Sequence, residues 1–336
     1  MFREVSSVNS FISERVSCII IAGGIAEGDT IAEGHAGPGY TDHVELLTRE
    51  LPTKKLPNLP KNINHTSMVL HNGTVLICGG FEGGVWIERK KKCLQLDQGT
   101  WKEHSTLNEK RLYHSTVTTP TATFVFGGRY SEFTFEYLPK DSTTWILGRT
   151  QIPDPGFEHG CAIAVKSGQE ILLIGGLGPG NIHQKRIISF NVADHTFRVM
   201  TSELNVARSR PQCALIPNTN KVMITGGDGF VEQEDGILNS TEIFNTEDGS
   251  VTMASPLNTK RTEHGMGVFT INCEYRLAVL GGHDGFYVQE SMLDSVELYN
   301  TKTGKWENSV TKLTQPNCNF LYLTVKLSDI ISELNK

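Results

Sequence analysis

The chain reads as an all-β repeat protein built from six copies of a four-stranded antiparallel unit. Three observations predict this. A short apolar run ending in Gly-Gly occurs six times, with doublets at 23–24, 79–80, 127–128, 175–176, 226–227 and 281–282. Successive doublets lie 56, 48, 48, 51 and 55 residues apart, a period that marks a repeat architecture. Between doublets, short apolar runs alternate with Gly and Asn turns, the pattern of strands rather than helices.

The last repeat displays the unit most clearly. Arg261 to Phe269 reads as a first strand, and Arg276 to Leu280, closed by Gly281-Gly282, as a second. A polar loop runs from His283 to about Asp294. Val296 to Tyr299 is the third strand, Asn300 to Gly304 a turn, and Lys305-Trp306 opens the fourth. The frame recurs at Leu138 to Trp145, Phe190 to Phe197 and Phe244 to Val251, each spanning seven residues. Such a small sheet leaves apolar faces bare unless the next unit stacks on it. Glycine suits the doublet, where strands crowd and unusual backbone angles are needed.

The doublets, the Val/Ile-Glu-Leu/Ile-Tyr/Phe-Asn segments and the Trp after the turn resemble the kelch repeat across residues 16–325. The resemblance implies a six-bladed β-propeller. The first repeat departs from the pattern by lacking the Trp, and Phe197 and Val251 replace it in two others, which predicts smaller apolar plugs. Residues 1–15 form an N-terminal extension. Residues 326–336 form a tail in which Leu327, Ile330, Ile331 and Leu334 have helical spacing. Only one clear strand precedes the first doublet. Pro316 to Val325 resembles first strands elsewhere, so the C-terminal strand is expected to complete the first blade and close the ring, with Val8 to Ile12 as the rival.

Bulk properties narrow the function. The 336 residues carry a net charge of −6, which speaks against general nucleic-acid binding. No apolar run is long enough to span a bilayer, and Arg3, Glu4, Glu14 and Arg15 interrupt any secretory signal. The expectation is a monomeric cytoplasmic protein, with a nuclear location as an option. Of the seven cysteines, Cys18, Cys78, Cys161, Cys213 and Cys318 fall within or beside strand patterns and are expected to be mostly reduced, small core residues. The stretch Arg89 to Lys92 is a basic patch suited to nuclear import or anionic lipid, or to blunting a sheet edge.

In a four-stranded meander, the loop entering strand one and the loop after the doublet share a face. The entering segments carry Lys110, Arg111, Tyr113, Arg208, Arg210, Lys260 and Arg261. The post-doublet loops carry Arg129, Asp228, Glu232, Glu234, Asp235, Asp284 and Glu290. Arg111, Arg208, Arg210, Arg261, Tyr113, Arg129, Asp228 and Asp284 are therefore the candidate protein-binding face, a basic centre with an acidic rim fit for an acidic peptide. Some kelch adaptors are similar in gripping partners through arginines on this face. Kelch propellers often serve cullin ubiquitin ligases behind BTB and BACK domains, which are absent from this sequence. Actin or signalling partners are equally open.

His65, His114, His159 and His264 recur near the strand-one entry and are expected to ring the channel. They come one per blade without an HExxH or paired CxxC motif, so no metal or cofactor is expected. No catalytic residues are assigned, since GxSxG and P-loop motifs are absent. The iron pattern ExxxDxxxH of kelch-group specifier proteins is half matched by Glu290 to Asp294, but Leu298 stands where His belongs. No motif marks the cysteine–tyrosine pair of kelch-type copper oxidases. The alternative to protein binding is a small sugar-like ligand in the central pocket. The six-bladed sialic-acid mutarotases resemble this architecture, and Arg111, Arg210, Arg261 and the histidines would then hold an acidic ligand. A deep funnel would favour that reading, and a broad shallow face a protein.

Overall fold

The computed structural model describes residues 17–26, 39–48, 54–82, 88–229, 236–271, 274–285 and 291–326. Among them lie six four-stranded antiparallel sheets arranged in a ring, a six-bladed β-propeller. The innermost strands are Leu321–Lys326, Ser67–His71, Ser115–Thr118, Cys161–Val165, Gln212–Leu215 and Gly265–Ile271 for blades one to six. Neighbouring innermost strands touch in ring order, and Leu321–Lys326 lies between those of blades six and two.

Blade one is completed by the C-terminal strand, as expected. Ser17–Ala22 pairs antiparallel with Leu321–Lys326 in the register Ser17 to Lys326 and Ala22 to Leu321. The rival segment 8–12, the extension and residues 327–336 of the tail lie outside the described residues, as do Glu232, Glu234, Asp235 and Glu290, while Lys326 ends the C-terminal strand.

The core lies between blades, and this explains the sequence pattern. Second strands are apolar on both faces because each is sandwiched between two neighbours. In Glu170–Ile174, Ile171 and Leu173 join the cluster shared with blade three, while Leu172 and Ile174 join the one shared with blade five. Blade six repeats this, with Ala278 and Leu280 towards blade one and Leu277 and Val279 towards blade five. Trp145 and Trp306 plug these interfaces. Phe197 and Val251 take the same place as partly buried substitutes. Phe197 is compensated by an aromatic cluster in which Phe190 meets Phe135 edge-on at 5.0 Å.

Each doublet is a junction between blades. The second glycine donates its N–H to the segment entering the next blade: Gly80 to Arg111 O at 2.9 Å, Gly176 to Arg208 O at 2.9 Å and Gly227 to Arg261 O at 3.0 Å. Gly127 shows why a side chain is excluded. Its φ is +59°, and an added Cβ would sit 1.9 Å from the Phe157 carbonyl oxygen.

The cysteine expectation is corrected. Cys78 pairs with Cys93 across two strands of blade two, and Cys161 pairs with Cys213 on the innermost strands of blades four and five. Sequence spacing concealed both: Cys78 and Cys93 meet through the pairing of two strands within one blade, and Cys161 and Cys213 only once blades four and five stack. Cys18 and Cys318 are buried, and Cys273 lies outside the described residues.

Candidate functional site

The strand-one entries and the post-doublet segments share one face, as the meander requires. They are tied by short antiparallel bridges such as Leu112 to Arg129, Ser209 to Asp228 and Thr262 to His283. Two residues before each innermost strand the backbone becomes left-handed, with φ of 53° at His65, 56° at Tyr113, 53° at His159, 50° at Arg210, 51° at Glu263 and 55° at Asn319. This conformation costs a non-glycine residue about 1–2 kcal/mol. Here it turns the peptide groups along the circumference. Tyr113 N donates to His65 O at 2.9 Å, His159 N to Tyr113 O at 3.0 Å, Arg210 N to His159 O at 2.6 Å and Asn319 N to Glu263 O at 3.0 Å.

The six side chains line the mouth of a central cavity of about 460 Å³. Its lining continues down the innermost strands, from His65 to Leu70 in blade two. At about 3.3 Å per residue this is a depth of roughly 16 Å. The upper wall is polar, with Thr66, Ser67, Ser115, Thr116 and Gln212, and the Tyr322 hydroxyl donates to Gln212 Oε1.

One side of the ring is aromatic. His159 stacks on Tyr113 with centroids 3.8 Å apart, and His65 meets Tyr113 at 4.4 Å. Arg129 lies 5.4 Å from the Tyr113 centroid and pairs with Glu158 at 3.4 Å. Burial, followed by the charge of Arg210, pulls the His159 imidazole to about 2. Burial likewise brings His65 to about 4, against a contact with Asn319 that favours its charged form. Both are neutral near pH 7, so each offers one donor and one acceptor.

The other side is ionic. Arg210 is bonded to Asp228 and lies 3.2 Å from Glu263. His283 Nε2 stands 3.8 Å from Glu263. Burial raises the Glu263 pKa above its usual value, against the opposing pull of Arg210 and His283. Burial opposes the Arg210 charge, but Glu263 and Asp228 outweigh it and raise its pKa. The arginine is thus already neutralised by protein carboxylates.

Three of the candidate arginines are corrected. Arg111, Arg208 and Arg261 are each 0% exposed and lie between strands. They pair with the buried glutamates of the third strands, Arg111 with Glu136 at 3.1 Å, Arg208 with Glu242 at 2.8 Å and Arg261 with Glu297 at 2.8 Å. Arg208 also donates to Gly226 O at 2.9 Å, and Arg261 to Gly281 O at 2.8 Å. They clamp the doublet of their own blade and present nothing to a partner. Of the eight proposed face residues, Arg210 and Tyr113 are in the ring, Asp228 and Arg129 support it, and Asp284 lies half-buried in a post-doublet segment away from the cavity lining.

The histidine ring divides into two levels. His65 and His159 are ring residues, whereas His114 and His264 lie one residue further on and contribute to the wall. Their imidazoles tuck under the preceding blade's doublet. His264 Nε2 contacts Thr225 Oγ1 at 2.9 Å and His114 Nε2 contacts Thr66 Oγ1 at 3.4 Å. Among the described residues no cluster of three or more His, Cys, Asp or Glu is placed to hold a metal ion. Glu263 and Asn319 escaped sequence reasoning because their residue types differ from the histidines. The signal was positional: each ring residue stands two places after the residue equivalent to Arg111, Arg208 or Arg261.

No protein-family model matches the chain, and no curated protein matches it in sequence. The kelch likeness therefore rests on the repeats themselves. Among solved structures the chain is similar to that of YjhT, with a TM-score of 0.63, 12% identity, and coverage of 86% of this chain and 97% of that one. At that identity the likeness speaks for the fold alone.

Proposed function

We propose that the central cavity binds a small, hydroxyl-rich, sugar-like ligand without strong net charge. The observation that carries this reading is the convergence of His65, Tyr113, His159, Arg210, Glu263 and Asn319 on one deep cavity of about 460 Å³. That volume lies within the usual range for small-molecule sites. Six residues with left-handed backbone at a common mouth carry the kind of backbone strain that accumulates at ligand sites. Stacked Tyr113 and His159 offer flat apolar faces, while Glu263, Asn319 and the neutral imidazoles offer donors and acceptors. The pairing of Arg210 with Asp228 and Glu263 disfavours the acidic ligand that free arginines would select. A carboxyl with a raised pKa at the cavity mouth is also suited to moving a proton on a bound ligand, so turnover is worth assaying with binding.

The test is a thermal-shift screen of neutral monosaccharides against their uronic-acid counterparts, followed by calorimetry on the wild type. Stabilisation by neutral sugars above the acids supports the reading. A response to the acids alone, or to neither class, counts against it.

A second reading, docking of a protein partner on the same face, is favoured by one observation. Tyr130 is 54% exposed and Phe133 39% exposed in the post-doublet loop of blade three, beside Arg129. Exposed aromatics next to an arginine are common anchors in protein interfaces. An adaptor role, in ubiquitination or in cytoskeletal or signalling complexes, would use this patch rather than the buried arginines.

A further inference from the structure

A second concavity, separate from the central cavity, lies between blade two and the segment that enters it. Its volume is about 470 Å³. Five lysines line it: Lys61, Lys90, Lys91, Lys92 and Lys110. Among the described residues Glu103 is the one acidic lining residue, and it pairs with Lys92. So strong a positive concentration is unexpected on a chain whose net charge is −6. The sequence brings these lysines together from three places: the link between blades one and two, the segment 90–92 that leads into and opens the third strand of blade two, and the link to blade three.

The floor is apolar. Ile63, Ile77, Leu94 and Trp101 form it, and the Trp101 indole is fixed by donating Nε1–H to the Pro57 carbonyl at 3.0 Å. Lys91 and Lys110 have no ion-pair partner among the described residues. Surface lysines that only solubilise a protein do not need a concave apolar floor containing an anchored indole. A rim of point charges over such a floor complements a ligand with the same division, one flat apolar end and one anionic end.

We propose that this pocket binds a small organic anion of that form, an aromatic body bearing a phosphate or equivalent anionic group. The size favours a small molecule over an extended peptide: 470 Å³ holds one such body, not a chain segment. The anionic group would sit by Lys91 and Lys110, and the ring over Trp101.

The experiment uses 1-naphthyl phosphate as probe, titrated calorimetrically into the full chain. 1-Naphthol tests the apolar part alone, pyrophosphate the charge alone, and hexaglutamate an acidic peptide. The expected result is saturable binding of naphthyl phosphate, weakening as salt rises, with naphthol and pyrophosphate each at least about tenfold weaker. In Lys91→Glu/Lys110→Glu, with an unchanged melt, the affinity should fall at least about tenfold. If that variant does not fold, Lys91→Gln and Lys110→Gln singly should each weaken binding severalfold. Unchanged affinity in folded lysine variants overturns the site. Pyrophosphate binding as tightly as naphthyl phosphate overturns the mixed character of the ligand, and tighter hexaglutamate overturns the small-molecule assignment. Loss of the probe from Glu263→Gln but not from the lysine variants would place it in the central cavity and equally overturn the proposal.

Discussion

Arg261 and Glu297 form a wholly buried ion pair, with Nη2 2.8 Å from Oε1 and almost no exposure of either side chain. The glutamate also accepts the backbone N–H groups of Asn258 and Thr259, at 2.7 and 3.1 Å. The same constellation occurs at Arg208 with Glu242 and at Arg111 with Glu136. It binds a third strand to the connection that enters strand one of the same blade. Burial lowers the arginine pKa values and the glutamates offset part of that cost. Removing one partner should be far worse than removing both. Arg208→Met is expected to lose about 3–5 kcal/mol, because Glu242 is left charged and buried. Arg208→Met/Glu242→Leu should lose less than the sum of the single changes. Urea unfolding of the four proteins in a double-mutant cycle measures the coupling.

Gly127 and Gly180 provide an internal comparison. Both have positive φ, +59° and +72°, but a Cβ at Gly127 meets the Phe157 carbonyl whereas one at Gly180 meets nothing within 4 Å. Gly180→Ala should cost about 1 kcal/mol from backbone strain alone. Gly127→Ala should cost several times more, since the collision is with the backbone of the next blade. Paired chemical melts decide it, and equal losses would mean that the doublet tolerates a side chain.

What could be read in the sequence was what depends on local rules. The doublets, the strand order and the ring closure follow from glycine chemistry, short apolar runs and the edges a propeller cannot leave open. What could not be read depends on partners far along the chain. Arg111 meets Glu136 25 residues away, and Arg261 meets Glu297 36 residues away. Without those partners an arginine at a loop end reads as exposed. The ring register was misjudged by one residue at His114 and His264, because the distance from strand-one entry to doublet varies between blades. Cys161 and Cys213 become neighbours only through stacking of blades four and five.

The buried histidines make stability depend on acid. The His65 pKa is lowered to about 4 and that of His114 to about 3, in each case first by burial. A base with a depressed folded pKa binds protons more readily when unfolded. Stability should therefore be full above pH ~6.5 and decline as pH falls through the window down to about 4, and on to about 3 for His114. His65 alone corresponds to about 3 kcal/mol across its window. His65→Asn, which keeps a residue tolerant of the left-handed backbone, should flatten the pH dependence of the melting temperature between pH 6.5 and 4. An unchanged slope would contradict the assignment.

The C-terminal strand should be indispensable. A chain ending before Leu321 leaves Ser17–Ala22 without its inner partner and exposes Ile20 and Phe269 at an open seam. It is expected to aggregate or to melt non-cooperatively. A cooperative melt at the full-length temperature would show that another segment closes the ring.

The claim that the left-handed ring is a ligand site is tested most directly by calorimetric titration of the best neutral sugar from the thermal-shift screen. Wild type, Tyr113→Asn, Glu263→Gln and Lys91→Glu/Lys110→Glu are compared, each first shown to melt cooperatively. Loss of at least about tenfold in affinity in the two ring variants, with the lysine variant unchanged, is the predicted result. Wild-type affinity in both ring variants would contradict it.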